Sequence, residues 1–196
     1  MSRLAIVLAF IAAFVLQALL LFWMIGDRAL LLARGTEIRL AVVPVDPRDI
    51  LRGDYVVLAY DISTLDAQAL AGSDDFDWGD TIYVTVEKAP DGGAWQAVSI
   101  DHEPPAGKLA LKGTVSDVRD ETTRVPEGAP ECPDCKRYGV EYGLEQFFVP
   151  EGKGRELERL RNDQRMQVDV AVTDKGRAAL KRLLVDGQPV YEDSLF

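Results

Sequence analysis

The N-terminus opens on an unbroken apolar run. Leu4 to Ile25 spans 22 residues without a charge, and Gln17 is the only polar side chain among them. As an α-helix this run is about 33 Å long, enough to cross the ~30 Å hydrocarbon core of a bilayer. Phe22 and Trp23 lie near one end, where aromatic side chains favour the membrane interface. The pattern predicts one transmembrane helix within residues 1–26.

A cleaved signal peptide is the alternative interpretation of this run. Its apolar region usually has about 7–15 residues and ends at a small-x-small cleavage site. The run here is longer, and the following "GDRALLLARG" contains no A-x-A sequence. We therefore interpret the run as an uncleaved single-pass anchor.

The orientation of the anchor is judged from its flanks. Arg3 precedes the helix and Arg28, Arg34 and Arg39 follow it, so the positive-inside count argues against export of the C-terminal domain. A three-residue tail gives that rule little to count. The acidic body and the cysteine pair favour an extracytoplasmic domain, and we predict a single-pass protein of the inner (plasma) membrane with a periplasmic domain.

Beyond the anchor, the polarity pattern changes to the two-residue alternation of half-buried strands. Residues 27–43 form a membrane-proximal connector and a first strand, and 44–196 form a globular β-rich domain. Ala29–Ala33 is compatible with a continuation of the helix. Strands are predicted at Glu37–Val43, Tyr55–Ile62, Thr81–Lys88, Trp95–Ile100, "KLALKGTVSDVRD", "MQVDVAVT" and "QPVYE", with further strand-like positions at Leu144, Phe147, Phe148 and Val149.

Two short helices complete the predicted domain. They are "KGRELERLRNDQR" and "DKGRAALKRLLVDG", the second with Leu180, Leu183 and Leu184 facing inward and Gly187 as its stop. With turn signals every 8–12 residues, the pattern predicts an antiparallel, β-dominated α+β domain, with a partly closed barrel as one form of it.

The net charge of the chain bears on which classes of macromolecule it can bind. The chain carries a formal charge of −10, and no basic stretch interrupts its acidic body. Proteins that bind nucleic acid concentrate Lys and Arg on one face, so this composition argues against nucleic acid as a partner.

The most unusual stretch is "PVDPRDILRGDYVVLAYDIS", which starts at Pro44. It combines clustered charges with the entry to a strand. Gly-Asp is a turn signal, and the strand register places Leu58 and Tyr60 on one face, toward the core. The residues of interest are Asp46, Arg48, Asp49, Arg52, Gly53, Asp54, Tyr55, Leu58 and Tyr60.

Other chemistry-bearing groups are sparse. His102 stands alone before a Pro-Pro turn, with no nucleophile motif nearby, and we interpret it as an exposed polar residue. Cys132 and Cys135 form one C-x-x-C in a proline-rich loop; one pair with one histidine is short of zinc ligands, and a local disulfide is favoured over a redox or dimer-bridging metal site. "SDDFDWGD" fails the calcium-loop pattern. We predict no catalytic residue, no metal site and no cofactor.

The residues Gly53, Asp54, Tyr55, Leu58 and Tyr60 match G-D-Y-x-x-L-x-Y. On this motif, the preceding "PVDPRDILR", and the later blocks "YGLEQFFVPEGKGRELE" and "GRAALKRLLVDG", the chain resembles the GDYXXLXY family of bacterial membrane-anchored proteins. The "PECPDCKR" insertion departs from that pattern. The resemblance implies an N-terminal anchor, an extracytoplasmic domain and frequent association with genes for polytopic membrane proteins of unknown function. It assigns no catalytic residues.

Two functional hypotheses follow. The first is a non-enzymatic envelope protein that acts as an accessory or interaction module for an integral membrane partner, with Arg48 and Arg52 as contact residues. The second is a hydrolase or a small-ligand or metal-binding domain that uses the Asp46, Asp49 and Asp54 carboxylates. The two differ in whether those carboxylates converge on a concave site.

Overall fold

A computed structural model describes residues 3–44, 55–90, 92–120, 136–148, 159–161, 163 and 165–192. The chain begins with one long helix, α1, which runs from Arg3 to Arg34 over 32 residues. Within the described residues, one candidate membrane span is found, Phe10–Arg34, with a mean hydropathy of 2.0. The helix therefore includes most of the segment that the sequence assigned to a connector.

Thirteen strands follow in the described chain, with a short 3₁₀ turn at Asp61–Ser63. They are β1 (Thr36–Val43), β2 (Tyr55–Val57), β3 (Ala59–Tyr60), β4 (Thr64–Asp66), β5 (Ala71–Gly72), β6 (Thr81–Lys88), β7 (Trp95–Asp101), β8 (Ala110–Asp120), β9 (Lys136–Glu141), β10 (Gln146–Phe148), β11 (Met166–Val172), β12 (Ala178–Val185) and β13 (Gln188–Glu192).

The strands form two main sheets and a two-stranded ribbon. The first sheet has the order β13-β12-β11-β1-β3, the second has the order β4-β9-β8-β6-β7-β5, and β10 pairs with β2. All pairings are antiparallel except β5 with β7. A β-dominated, antiparallel domain after one N-terminal helix is thus confirmed.

One hydrophobic core takes side chains from both sheets. From the first sheet, alternate residues of β1 and β11 point inward, as the two-residue period predicts. From the second come residues of β6, β8 and β9, and Phe76 closes one end. Completely or almost completely buried members include Leu40, Val168, Leu183, Ile82, Val84, Leu111 and Val115.

The predicted helix at "DKGRAALKRLLVDG" is wrong. This segment is β12, which pairs with β11 over seven positions from Met166↔Val185 to Val172↔Ala178. Asp186 and Gly187 have φ of 50° and 77° and connect β12 to β13 as a two-residue hairpin turn. Asp-Gly between two apolar runs is the usual signal for such a turn, and Gly187, the predicted helix stop, is its second residue. The three leucines at 180, 183 and 184 fitted a helical spacing because a bulge interrupts the strand alternation at Lys181.

The remaining predictions on the strands are mostly confirmed. The hairpin of β6 and β7, the long β8, the alternating β11 and the last strand β13 all form. The predicted strand Tyr55–Ile62 divides into β2 and β3 and ends in the 3₁₀ turn. Of the other predicted helix, residues 159–161, 163 and 165 are described, and 159–161 are helical whereas 163 and 165 are not.

Candidate functional site

The end of α1 packs directly against the first sheet. Leu31 and Leu32 are 6% and 8% exposed and form a small cluster with Ala171 of β11 and Ala179 of β12. These two alanines are cross-strand partners, so together they offer a flat, small-residue patch to the helix. We call this contact, with its four residues, the helix–sheet junction.

Gly35 allows the chain to turn from the helix into β1 at the junction. A Cβ at this position would lie 2.7 Å from the Leu31 carbonyl oxygen and 3.0 Å from the Ala171 Cβ. The Gly35 amide donates to that same Leu31 oxygen at 2.9 Å, which satisfies a helix-terminal carbonyl group. Gly35 directly follows the last helical residue, Arg34, a position where glycine is common.

An ion pair also joins α1 to the hairpin turn 173–177, which connects β11 to β12. The Arg177 guanidinium makes two hydrogen bonds to the Asp27 carboxylate, one of them 3.0 Å long. The carboxylate raises the pKa of Arg177, chiefly through these hydrogen bonds. Asp27 lies one turn before Leu31 on α1, so the pair and the apolar contact fix two successive turns of the helix.

A charged network covers the sheet face beside the junction. Asp169 on β11 is 2% exposed and accepts hydrogen bonds from Arg39 at 2.8 and 3.2 Å and from Arg182 at 3.2 Å. Arg39, Asp169 and Arg182 occupy directly opposed positions on three neighbouring strands. A bulge in β12 adds Lys181 to the strand. The Lys181 and Arg182 side chains both form ion pairs with the Glu37 carboxylate. Asp169 also raises the pKa of Arg39.

The segment 58–60, which includes β3, is held by hydrogen bonds to backbone carbonyl oxygens of the turn before β10. The Leu58 amide donates to the Glu145 carbonyl oxygen at 2.8 Å, and the Tyr60 hydroxyl donates to the Leu144 carbonyl oxygen at 2.6 Å. Leu58 and Tyr60 are each 1% exposed, which confirms that they face the core. Burial raises the pKa of Tyr60 far above its usual range.

A second tyrosine reinforces this anchor. Tyr142 donates from its hydroxyl to the Ile62 carbonyl oxygen at 2.7 Å, and its amide donates to the Glu145 carboxylate at 2.5 Å. Hydrogen bonds therefore run in both directions between the segment 58–62 and the turn 142–145. Burial raises the pKa of the Tyr142 hydroxyl as well.

A family model described as GDYXXLXY protein matches residues 17–183. The chain belongs to this family. No curated protein and no solved structure matches the chain. The GDYXXLXY signature ends in Leu58 and Tyr60, so the part of the signature that the structure describes consists of core-forming and hydrogen-bonding groups.

The charged half of the GDYXXLXY motif lies outside the described residues. β3 pairs with Val42 and Val43, at the end of β1 opposite to the helix–sheet junction. Eight residues of strand separate the two ends of β1, about 26 Å at ~3.3 Å per residue. The residues outside the described part are Asp46, Arg48, Asp49, Arg52, Gly53 and Asp54, and Tyr55 is described only as backbone. Convergence of the carboxylates therefore stays a prediction.

Arg161 is a site residue that our sequence analysis missed. It is 1% exposed, and its guanidinium donates to the Val57 carbonyl oxygen at 2.8 Å. Val57 is the last residue of β2, so Arg161 connects β2 to the short helical segment 159–161. It lies next to Leu160 in a run of alternating charges, a pattern that is typical of a solvent-exposed helix and gives no signal of burial.

His102 lies at the surface, on the second sheet. Its side chain is 45% exposed, hydrogen-bonds the Asp75 carboxylate at 2.9 Å and stacks on Phe76 with ring centroids 4.1 Å apart. This pair lowers the pKa of Asp75, mainly through the hydrogen bond. The Tyr138 hydroxyl donates a hydrogen bond to the Asp74 carbonyl oxygen and so holds the loop that contains Asp75 in place.

The other predicted groups give no geometry to describe. Cys132 and Cys135 lie outside the described residues, so the disulfide stays a prediction. Within the part of the chain that is described, no group of three or more His, Cys, Asp or Glu side chains could hold a metal ion.

Proposed function

We propose that this GDYXXLXY protein is a single-pass envelope protein of the inner membrane whose extracytoplasmic domain is a non-enzymatic accessory module for an integral membrane partner. The observation that carries the proposal is the helix–sheet junction. A helix apolar enough to span a bilayer continues without a break into the domain and packs on its sheet.

This continuity gives the domain a fixed position relative to the anchor. A flexible linker would let a domain sample many heights and orientations above the bilayer. Here Leu31 and Leu32 are buried against Ala171 and Ala179, and Arg177 is paired with Asp27, so the domain is coupled to the helix. Such coupling suits a module that presents one surface to a neighbouring membrane protein.

The described part of the motif supports an architectural role. Tyr60 and Leu58 are buried and bonded to backbone groups, so neither exposes a reactive side chain. The segment 45–54 precedes them in the chain. Arg48 and Arg52 in that segment are the contact residues that we propose, because arginine and tyrosine are enriched at interaction hot spots.

Site-specific photocrosslinking in native membranes tests this function. A photoreactive residue at position 48 or 52 is expected to capture one discrete membrane protein, and the same residue at Trp78, which is 77% exposed in the turn before β6, serves as the control. An Arg48→Glu/Arg52→Glu variant should lose co-purification with the captured protein. Equal capture at all three positions, or unchanged co-purification of a folded variant, would contradict the proposal.

A further inference from the structure

We infer that the helix–sheet junction is also a lipid-binding surface, which seats the domain on anionic phospholipid headgroups of the leaflet from which α1 emerges. The inference rests on the proposed membrane anchorage. It concerns a different surface from that of β3, which pairs with Val42 and Val43 at the other end of β1.

The depth of the junction is set by the length of the apolar run. Leu4–Ile25 fills the hydrocarbon core, and the headgroup layer adds roughly 5–8 Å on each side. Asp27 to Arg34 then extends about 12 Å along the helix axis, through that layer. The hairpin turn 173–177 is tied to the same depth because Arg177 pairs with Asp27.

A cleft opens at this depth, between the last turns of α1 and the hairpin turn. Its volume is about 240 Å³. Leu30, which is 52% exposed, and Leu31 form its apolar wall, and Arg34 and Arg177 lie at its polar side. Asp27 and Asp174 also line it, and Asp27 is neutralised by Arg177. Because Arg177 is paired with Asp27, the cleft offers an apolar wall beside the Arg34 guanidinium, which suits an amphipathic ligand with a phosphate group.

The charge around the cleft is opposite to that of the whole protein. The 173–177 turn rests on β8, where the Lys112 amide donates to the Gly176 carbonyl oxygen at 2.8 Å, and this contact adds Lys112 to the surface. Four cations then stand against two carboxylates, in a chain with a net charge of −10. The cations are Arg34, Lys112, Lys175 and Arg177, and the carboxylates are Asp27 and Asp174.

This asymmetry determines how the domain meets a membrane. Anionic lipids attract basic residues near the surface and repel acidic ones. The described surface around the anchor has an excess of basic residues, so anionic lipid draws the domain down on that side, whereas the acidic excess of the chain is repelled from the bilayer. Phospholipid is the ligand we commit to, because the cleft begins in the headgroup layer and has an apolar wall.

Hydrogen–deuterium exchange of the full-length protein in nanodiscs tests the inference. Nanodiscs of phosphatidylcholine alone are compared with nanodiscs that also contain phosphatidylglycerol. We expect the turn 173–177 and residues 109–112 to exchange more slowly, on the order of tenfold, when phosphatidylglycerol is present. High salt should remove the difference, because it shortens the Debye length.

A pair of charge variants makes the test specific. Arg34→Gln/Lys175→Gln should abolish the extra protection. Arg119→Gln/Arg165→Gln removes the same charge from exposed positions elsewhere, with Arg165 at the opposite end of β11 from the hairpin turn, and should retain it. Unchanged exchange of β11 confirms that each variant is folded.

Two negative results can be told apart. If alkaline carbonate releases the chain from membranes, the proposed anchorage fails and the lipid surface fails with it. If the chain stays in the membrane but exchange at 173–177 is the same in both lipid mixtures, the lipid inference alone is overturned.

Discussion

The hydroxyl of Tyr60, the last residue of the family signature, donates a 2.6 Å hydrogen bond to the carbonyl oxygen of Leu144, a residue 84 positions further along the chain. Both side chains are buried, at 1% and 3% exposure. The bond joins β3, the end of the motif, to the turn before β10, two segments that are far apart in sequence. A signature tyrosine in this setting is a structural residue.

Tyr60→Phe should therefore destabilise the fold without changing its shape. The substitution leaves the Leu144 carbonyl oxygen buried without its donor, at a cost of about 1–3 kcal/mol in the free energy of unfolding. Urea denaturation of the full-length protein in detergent measures this change. Tyr83→Phe, at a half-buried tyrosine of β6, is the matched control and should cost much less; equal losses would contradict the assignment.

The two buried tyrosines also predict alkaline sensitivity. The pKa of Tyr60 and of Tyr142 is raised in the folded state, so the unfolded chain releases these protons first. Their contribution to stability is complete below the usual tyrosine pKa near 10 and is lost as pH rises above it, by about 1.4 kcal/mol per pH unit for each tyrosine. Tyr142→Phe should show a shallower loss of stability between pH 10 and 11, and an unchanged slope would refute this.

Arg161 should be among the most sensitive charged residues in the fold. Arg161→Ala removes the donor to the Val57 carbonyl oxygen and leaves a large space in a buried site. We expect a loss of about 3–5 kcal/mol in unfolding free energy, as for other broken buried polar contacts. Arg159→Ala, two residues away and exposed, should change it by less than about 0.5 kcal/mol. Similar effects for both would contradict the buried role.

The charged network on the first sheet makes a further prediction. Asp169→Asn leaves Arg39 and Arg182 facing a neutral group, and we expect a loss of about 2 kcal/mol. This is less than for a fully buried pair, because the two arginine side chains are 40% and 28% exposed. Asp117→Asn, in the exposed pair with Arg119, should cost less than about 1 kcal/mol. Thermal unfolding of the two variants side by side gives the comparison, and a larger loss for Asp117→Asn would argue against the network.

Much of the fold could be predicted because alternation reports burial directly. β11 alternates apolar and polar side chains, and its inward residues Val168 and Val170 are completely buried. The core positions of Leu58 and Tyr60 followed from the same period. β12 was misassigned because the bulge at Lys181 shifts its leucines into a spacing that a helix shares.

The candidate site was less accessible to sequence reasoning. The junction joins Leu31 to Ala171 across 140 positions, and two alanines give no local signal that a helix will pack on them. Arg161 was hidden for the same reason, since its acceptor on Val57 is 104 positions away. Local patterns predict elements, whereas these contacts depend on how the elements are brought together.

The coupling of helix and sheet is the central claim, and disulfide trapping tests it most directly. In a full-length background with Cys132→Ala and Cys135→Ala, the pair Leu31→Cys/Ala171→Cys should form a disulfide rapidly and almost completely in native membranes under mild oxidation. Leu30→Cys/Ala171→Cys, with its helix residue exposed, should react far more slowly. Equal rates for the two pairs would show that α1 does not pack on the sheet and would contradict this account.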